Sequence, residues 1–232
     1  MLASTGATPT RSTNGLVGCV AWRMGGAPTW CLDGQVYTVG AAVSWLCDVG
    51  VIAQPADLDA VGSTVEDTGG VTFVPGLAGL GAPFWAPNAR GALTGLSLAT
   101  TRAHLVRAVV EGIAAQVAWL ARAAGSDLGA PLTTLRVDGG LTRSRLLLQV
   151  QADLLQAPVE VYPSPNATAL GVALFAAQGE PAAPWTPFAV VEPTIGVDEA
   201  EDRLQAWRRV AESVVALDGV TDGVPDGVAI DG

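Results

Sequence analysis

At 232 residues, half hydrophobic and 15% charged, the chain suits one large domain or two small ones and is too apolar for general disorder. Its twelve basic residues are all Arg and its one His is His104, which excludes a Walker-A lysine, a Schiff base and a histidine-rich metal site. The net charge of −10 gathers at the C-terminus, where residues 192–232 hold ten acids against three Arg, so a basic nucleic-acid footprint is excluded.

The N-terminal run MLASTGATPTRS has no apolar h-region, so no signal peptide is expected. Residues 16–22 read as a strand, as does the short run 36–38 after the turn at Asp33-Gly34. A helix is predicted over 40–48, and 50–70 reads as a polar, turn-rich excursion. Residues 71–75 form the next strand, stopped by Pro75, and 76–92 are a Gly/Pro loop with aromatic insertions. The uncharged stretch 68–89 is broken by Gly and Pro and cannot span a membrane as a helix. Thr100 and Thr101 are N-cap candidates for the longest helix, 102–124, whose stripe is Leu105, Val109, Ile113, Val117 and Leu120. A strand at 135–137 enters Asp138-Gly139-Gly140, and a helix follows over 144–156. A strand at 159–162 and a small-residue helix over 168–178, with Gly179 as its stop, come next. Leu204, Trp207, Ala211 and Val214 mark a last amphipathic helix, and the Gly/Asp/Val-rich end reads as disordered. The expected division is therefore a domain over 1–216 and an acidic, disordered tail over 217–232. Cys19, Cys31 and Cys47, with 11 and 15 residues between them, fit no zinc spacing and read as reduced core thiols of a cytoplasmic protein.

Several residues are chemical candidates. A strand ending in Gly139-Gly140 before a helix lets a ligand approach the backbone and offers helix N–H groups to an anion. Ser144, near that helix start, can donate a hydroxyl; the competing reading is a tight turn with Ser144 as its cap. The loop from Gly79 to Trp85 suits the wall of a cleft or domain contact, or equally a fold of aromatics over the core. Glu111, flanked by apolar residues, reads as a general base or metal ligand, or as a paired structural group. Asp138 either holds a magnesium-bound water or caps its turn. His104 reads as a solvated first-turn residue, and the seven Trp as core or interface.

Residues 91–111, GALTGLSLATTRAHLVRAVVE, match the second signature pattern of the FGGY carbohydrate kinases: Gly91, Leu93, Gly95, Leu96, then His104, Leu105, Ala108, Val109, Val110 and Glu111. Segments 14–22, 34–52, 73–96, 135–159 and 166–177 resemble the glycerol-kinase branch of that family, in order and at family-like spacing. The resemblance covers about residues 1–215. It implies an α/β, ribonuclease-H-like (actin-like ATPase) domain, a mixed sheet flanked by helices, and only the second of the family's two halves. It also implies ATP and Mg²⁺ as cofactors, with the γ-phosphate passing to a polyol or sugar hydroxyl. The family's nucleotide contacts fall at positions matching Gly40, Ser44, Gly139, Gly140 and Ser144. Gln is favoured at the Ser44 place and Asn at the Ser144 place, and Ala86 replaces a hallmark acid. The catalytic base, the acceptor pocket and the first phosphate loop belong to the first half, so no catalytic or metal-ligating residue is assigned here. The chain begins inside a strand, just past the family's phosphate hairpin. It is therefore expected to be inactive alone, with the missing N-terminal kinase domain encoded upstream. That domain is the expected partner besides nucleotide, with self-association through exposed apolar surface as a second expectation; neither nucleic acid nor membrane is expected. The alternatives are a non-catalytic nucleotide- or partner-binding module and a decayed fragment.

Overall fold

The computed structural model describes residues 1–177 and 185–221. Strands β1 (Leu2–Gly6), β2 (Val17–Trp22) and β3 (Thr29–Asp33) make an antiparallel sheet with β3 in the middle. The run 36–38, expected as a strand, is not one; Thr38 instead donates its hydroxyl to the carbonyl of Pro75 at 2.5 Å and leads into α1. Helix α1 (Gly40–Asp48) lies as predicted and buries Ala42, Val43 and Leu46. The excursion at 50–70 is not all turn: it carries α2 (Asp57–Gly62), which buries Leu58. Strands β4 (Thr72–Val74) and β5 (Ala92–Thr94) pair antiparallel.

Helix α3 (Arg102–Leu128) is the axis of the core. It starts at Thr101 rather than Thr100, and His104 is part of the cap. The backbone N–H of Thr101 donates to His104 Nδ1 at 3.0 Å, so this half-buried ring is not simply solvated. The helix is long and apolar enough to cross a bilayer, but 67% of its most apolar stretch is buried, which makes it a core helix. Strand β6 (Leu135–Val137) leads through a 3-10 turn, Gly140–Arg143, into α4 (Arg145–Leu155). Strand β7 (Val159–Val161) pairs parallel with β6 and antiparallel with β8 (Ala189–Val191), forming the mixed sheet. Helix α5 (Ala167–Ala176) lies between β7 and β8 in the chain and buries none of its side chains. Its predicted stop at Gly179 falls outside the described residues. Helix α6 (Val197–Thr221) begins before the predicted apolar stripe and runs into the segment expected as tail; the rest of that segment lies outside the described residues.

Helix α6 is bolted onto α3 and β4. The buried indole Nε1 of Trp207 donates to the carbonyl of Phe73 at 2.8 Å. Arg122 pairs with Glu201, and Arg122 and Arg208 both lie over the Trp119 ring, at 5.1 and 4.6 Å from its centroid. Glu111 accepts from Arg107 at 3.2 Å and from Arg203 at 3.4 Å, so it is the paired structural group of the two sequence readings. Burial pushes the Glu111 carboxyl above the ordinary carboxylate range, against the pull of Arg203 and Arg107.

A raised folded-state pKa means that the stability linked to this group is fully present below the unfolded value, about pH 4.3 for Glu. That contribution is lost as pH rises through the folded value. Glu111→Gln removes the titration. Thermal unfolding of both proteins between pH 7 and pH 5 is expected to show the wild-type Tm rising relative to that of the variant as pH falls; a difference, wild type minus variant, that stays constant or becomes more negative as pH falls contradicts the assignment.

Candidate functional site

Two turns face each other across a cavity of about 310 Å³: the start of α1, with Val39 and Gly40, and the β6–α4 connection, with Asp138, Gly140, Leu141 and Thr142. Ile113 and Val117 of α3 form its floor, and Gln151 of α4 closes one side. Gly40 and Gly140, 100 residues apart in sequence, are thereby brought together. Ser44 stands one turn beyond Gly40 on the same exposed face of α1, outside the lining. Gly139 lines a neighbouring cavity of about 900 Å³ with Thr142, Arg143 and Tyr162.

The glycines of the site differ in kind from those of the core. A Cβ added at Gly40, Gly139 or Gly140 would meet nothing within 4 Å. At Gly112 it would fall 2.2 Å from the Phe73 carbonyl oxygen, and at Gly95 2.1 Å from that of Gly70. Gly112 and Gly95 therefore permit close backbone contacts within the fold, whereas Gly40, Gly139 and Gly140 leave bare backbone uncovered. Gly139 has a second reason: φ +92° and ψ −175° lie in a region that only glycine occupies freely.

The structure changes which helix offers its N-terminus. The start of α4, the expected anion site, is already occupied by a carboxylate of the same chain. Asp59 of α2 accepts from the N–H groups of Arg145 at 2.7 Å and Leu146 at 3.3 Å, and from the Ser144 hydroxyl. Ser144 itself is 8% exposed and accepts from the Leu147 N–H at 3.1 Å, so it is the N-cap. Its hydroxyl is thus bonded on both sides. Helix α1, by contrast, starts with no side-chain cap and no acid in its first turn. Its unpaired N–H groups and positive dipole end stand beside Gly40 at the cavity mouth.

Asp138 is exposed on the cavity wall. Among the described residues, no three His, Cys, Asp or Glu side chains cluster as a metal site. In the loop 79–85 the two aromatics divide: Phe84 packs on the core, tilted against Trp207 with ring centroids 6.0 Å apart, while Trp85 is half exposed and its indole N–H donates to the Gly15 carbonyl at 2.6 Å. Sequence reasoning missed Gln151, Thr142 and Asp59. A buried Gln interrupting the apolar run of α4 was the available signal for the first.

The sequence model of the FGGY family of carbohydrate kinases, C-terminal domain, matches residues 1–179. The chain belongs to that family. It is 43% identical to the glycerol kinase of Bordetella parapertussis over 225 residues, covering 91% of this chain and 44% of the relative. The glycerol kinase of Myxococcus xanthus is 40% identical over 223 residues, covering 91% and 45%. Among solved structures, Plasmodium falciparum glycerol kinase with ADP superposes with a TM-score of 0.80 at 28% identity, over 92% of this chain and 44% of that one. Xylulose kinase from Rhodospirillum rubrum gives 0.77 at 24% identity, a likeness of fold. The chain thus spans less than half the length of the relatives it matches, and it corresponds to the C-terminal domain of a glycerol kinase-like carbohydrate kinase with the actin-like ATPase fold.

The two kinds of glycine separate in a stability experiment. Gly140→Val places its side chain in open cavity and is expected to leave stability within about 0.5 kcal/mol, whereas Gly112→Ala drives a methyl into the Phe73 carbonyl and is expected to cost more than about 2 kcal/mol. Urea unfolding checks both; equal losses would show that Gly140 is also a packing glycine.

Proposed function

We propose that this chain is the nucleotide-side half of a kinase that transfers the γ-phosphate of Mg-ATP to a polyol hydroxyl, and that it does not turn over alone. The observation that carries this reading is the pair of open glycine turns, Gly40 and Gly140, facing each other beside the uncapped start of α1. Bare N–H groups in a concave wall at a positive helix end suit phosphate oxygens. The floor of Ile113 and Val117 gives apolar surface to a flat ring or sugar. Gly139 supplies the backbone geometry of the turn. Ser44 offers a hydroxyl at the rim of α1. Ser144 acts by holding the start of α4, and so the end of the Gly140 turn, in place.

ATP brings Mg²⁺, which neutralises phosphate charge. Among the described residues that line the cavity, Asp138 carries the only carboxylate, and it fits a contact to the ion through water. The remaining ligands, the general base and the acceptor site are assigned to the N-terminal kinase domain. Two apolar surfaces suit that partner. Helix α5 is almost wholly apolar and exposes Leu170, Val172, Leu174 and Phe175; Trp85 stands out from the other loop. Phosphoryl transfer depends on positioning and charge stabilisation between closing parts, so one wall of the cleft holds nucleotide weakly and leaves the acceptor unactivated. The cytoplasm is the location consistent with this reading.

Purified chain is expected to form no glycerol phosphate from ATP and glycerol. Fusion to the N-terminal part of the Bordetella parapertussis relative that this chain does not match is expected to restore ATP-dependent polyol phosphorylation. In that fusion, Gly140→Val is expected to lower kcat/KM for ATP about 10²-fold or more by filling the backbone cradle. Turnover by the isolated chain, or a folded fusion that binds ATP without turnover, overturns the kinase-half reading; the latter result favours a binding module.

A further inference from the structure

Cys19 of β2 and Cys31 of β3 are direct partners in the antiparallel ladder, between the pairs Gly18↔Leu32 and Val20↔Trp30. Their sulfurs stand 3.4 Å apart. Directly opposed residues of antiparallel strands have Cα atoms about 4.5–5.5 Å apart, inside the span of about 4.4–6.8 Å that a disulfide requires. Side-chain rotation alone can therefore close the sulfur–sulfur gap, with no movement of the ladder. Cys47, on α1, is the third free thiol and has no such partner.

We propose that Cys19 and Cys31 form an oxidation site at which hydrogen peroxide closes a reversible intramolecular disulfide across the β2–β3 ladder. The two sulfurs have different roles. Cys19 is half buried and is the one the oxidant reaches, whereas Cys31 is buried at 2% exposure. Burial, with the neighbouring Cys19 and Asp33, pushes the Cys31 thiol up to about 11, so it is the resolving rather than the attacking group. The Cys19 thiolate attacks one peroxide oxygen: an S–O bond forms, the O–O bond breaks, and the departing hydroxide takes a proton to become water. The Cys31 sulfur then attacks the sulfenic sulfur of Cys19. An S–S bond forms, the S–O bond breaks, and the hydroxide leaves as water with the Cys31 proton. Two thiols lose two electrons and one peroxide becomes two waters. A dithiol reductant reverses the bridge by exchange. Because β3 also pairs with β1, the bridge staples β2 to the centre of the sheet.

The test uses the full chain, oxidised with stoichiometric hydrogen peroxide, then alkylated under denaturing conditions and cut with trypsin and an Asp-specific protease. Cleavage after Arg11 and Arg23 and before Asp33 and Asp48 puts the three thiols on separate peptides, 12–23, 24–32 and 33–47. The expected product is a monomer that has lost two hydrogen atoms. Its linked 12–23 and 24–32 peptides should exceed either pairing with Cys47 by roughly tenfold, the advantage of preset proximity, and dithiothreitol should release them. In Cys47→Ser the same link is expected at the same rate, and in Cys19→Ser it is absent. The proposal is overturned if all three thiols remain alkylatable, if Cys19 proceeds to sulfinic acid with no linked peptide, or if the bridge joins two chains.

Discussion

The carbonyl of Phe73 is the point on which the fold turns. Gly112 lets α3 approach it so closely that a methyl at that position would sit 2.2 Å from the oxygen, and the Trp207 indole closes it off from α6. One strand, the axial helix and the last helix thus meet at a single buried oxygen. An unpaired buried carbonyl costs on the order of 1–3 kcal/mol, so the Trp207 bond is what makes that close packing tolerable. The depth at which α3 sits on β4 in turn fixes where Ile113 and Val117 lie. Those two residues are the floor between the Gly40 and Gly140 turns.

Above that floor, the distribution of charge separates two helix starts that look alike in outline. The N-terminus of α4 is neutralised from within by Asp59 and capped by Ser144, so its dipole is used in holding α2, α4 and the 3-10 turn together. The N-terminus of α1 has no such partner and opens on the cavity. An anion arriving at this surface finds α1 available and α4 already satisfied. In the proposed function the backbone does the recognising, so Ser at positions 44 and 144 leaves the open glycine pair in place.

Much of this was legible in the sequence. Helices α1, α3 and α4 were all legible, α3 through its apolar stripe, and the Asp138-Gly139-Gly140 turn followed from two glycines between a strand and a helix. Strand β3 escaped because its sequence, TWCLD, has little alternation and gains its conformation from pairing on both edges. The neighbouring run 36–38 had the better strand composition, yet its hydrogen bonding goes to Pro75 instead of a ladder. Asp59 was invisible as a cap because its partners lie 85 to 87 residues away. A short acidic helix in a polar stretch carries no local sign of a distant contact. The opposition of Gly40 and Gly140 was likewise a product of tertiary packing; only the family resemblance pointed to both.

The most direct measurement is an amide map of the isolated chain with ADP, by heteronuclear NMR. Nucleotide binding to the open glycine turns predicts saturable shifts, with a dissociation constant of roughly millimolar order, centred on Val39 to Ala41 and Asp138 to Thr142. The start of α4, at Arg145 and Leu146, should move little because Asp59 already occupies it. Shifts centred on Arg145 and Leu146, or none at saturating ADP, would contradict the assignment of the Gly40–Gly140 cleft.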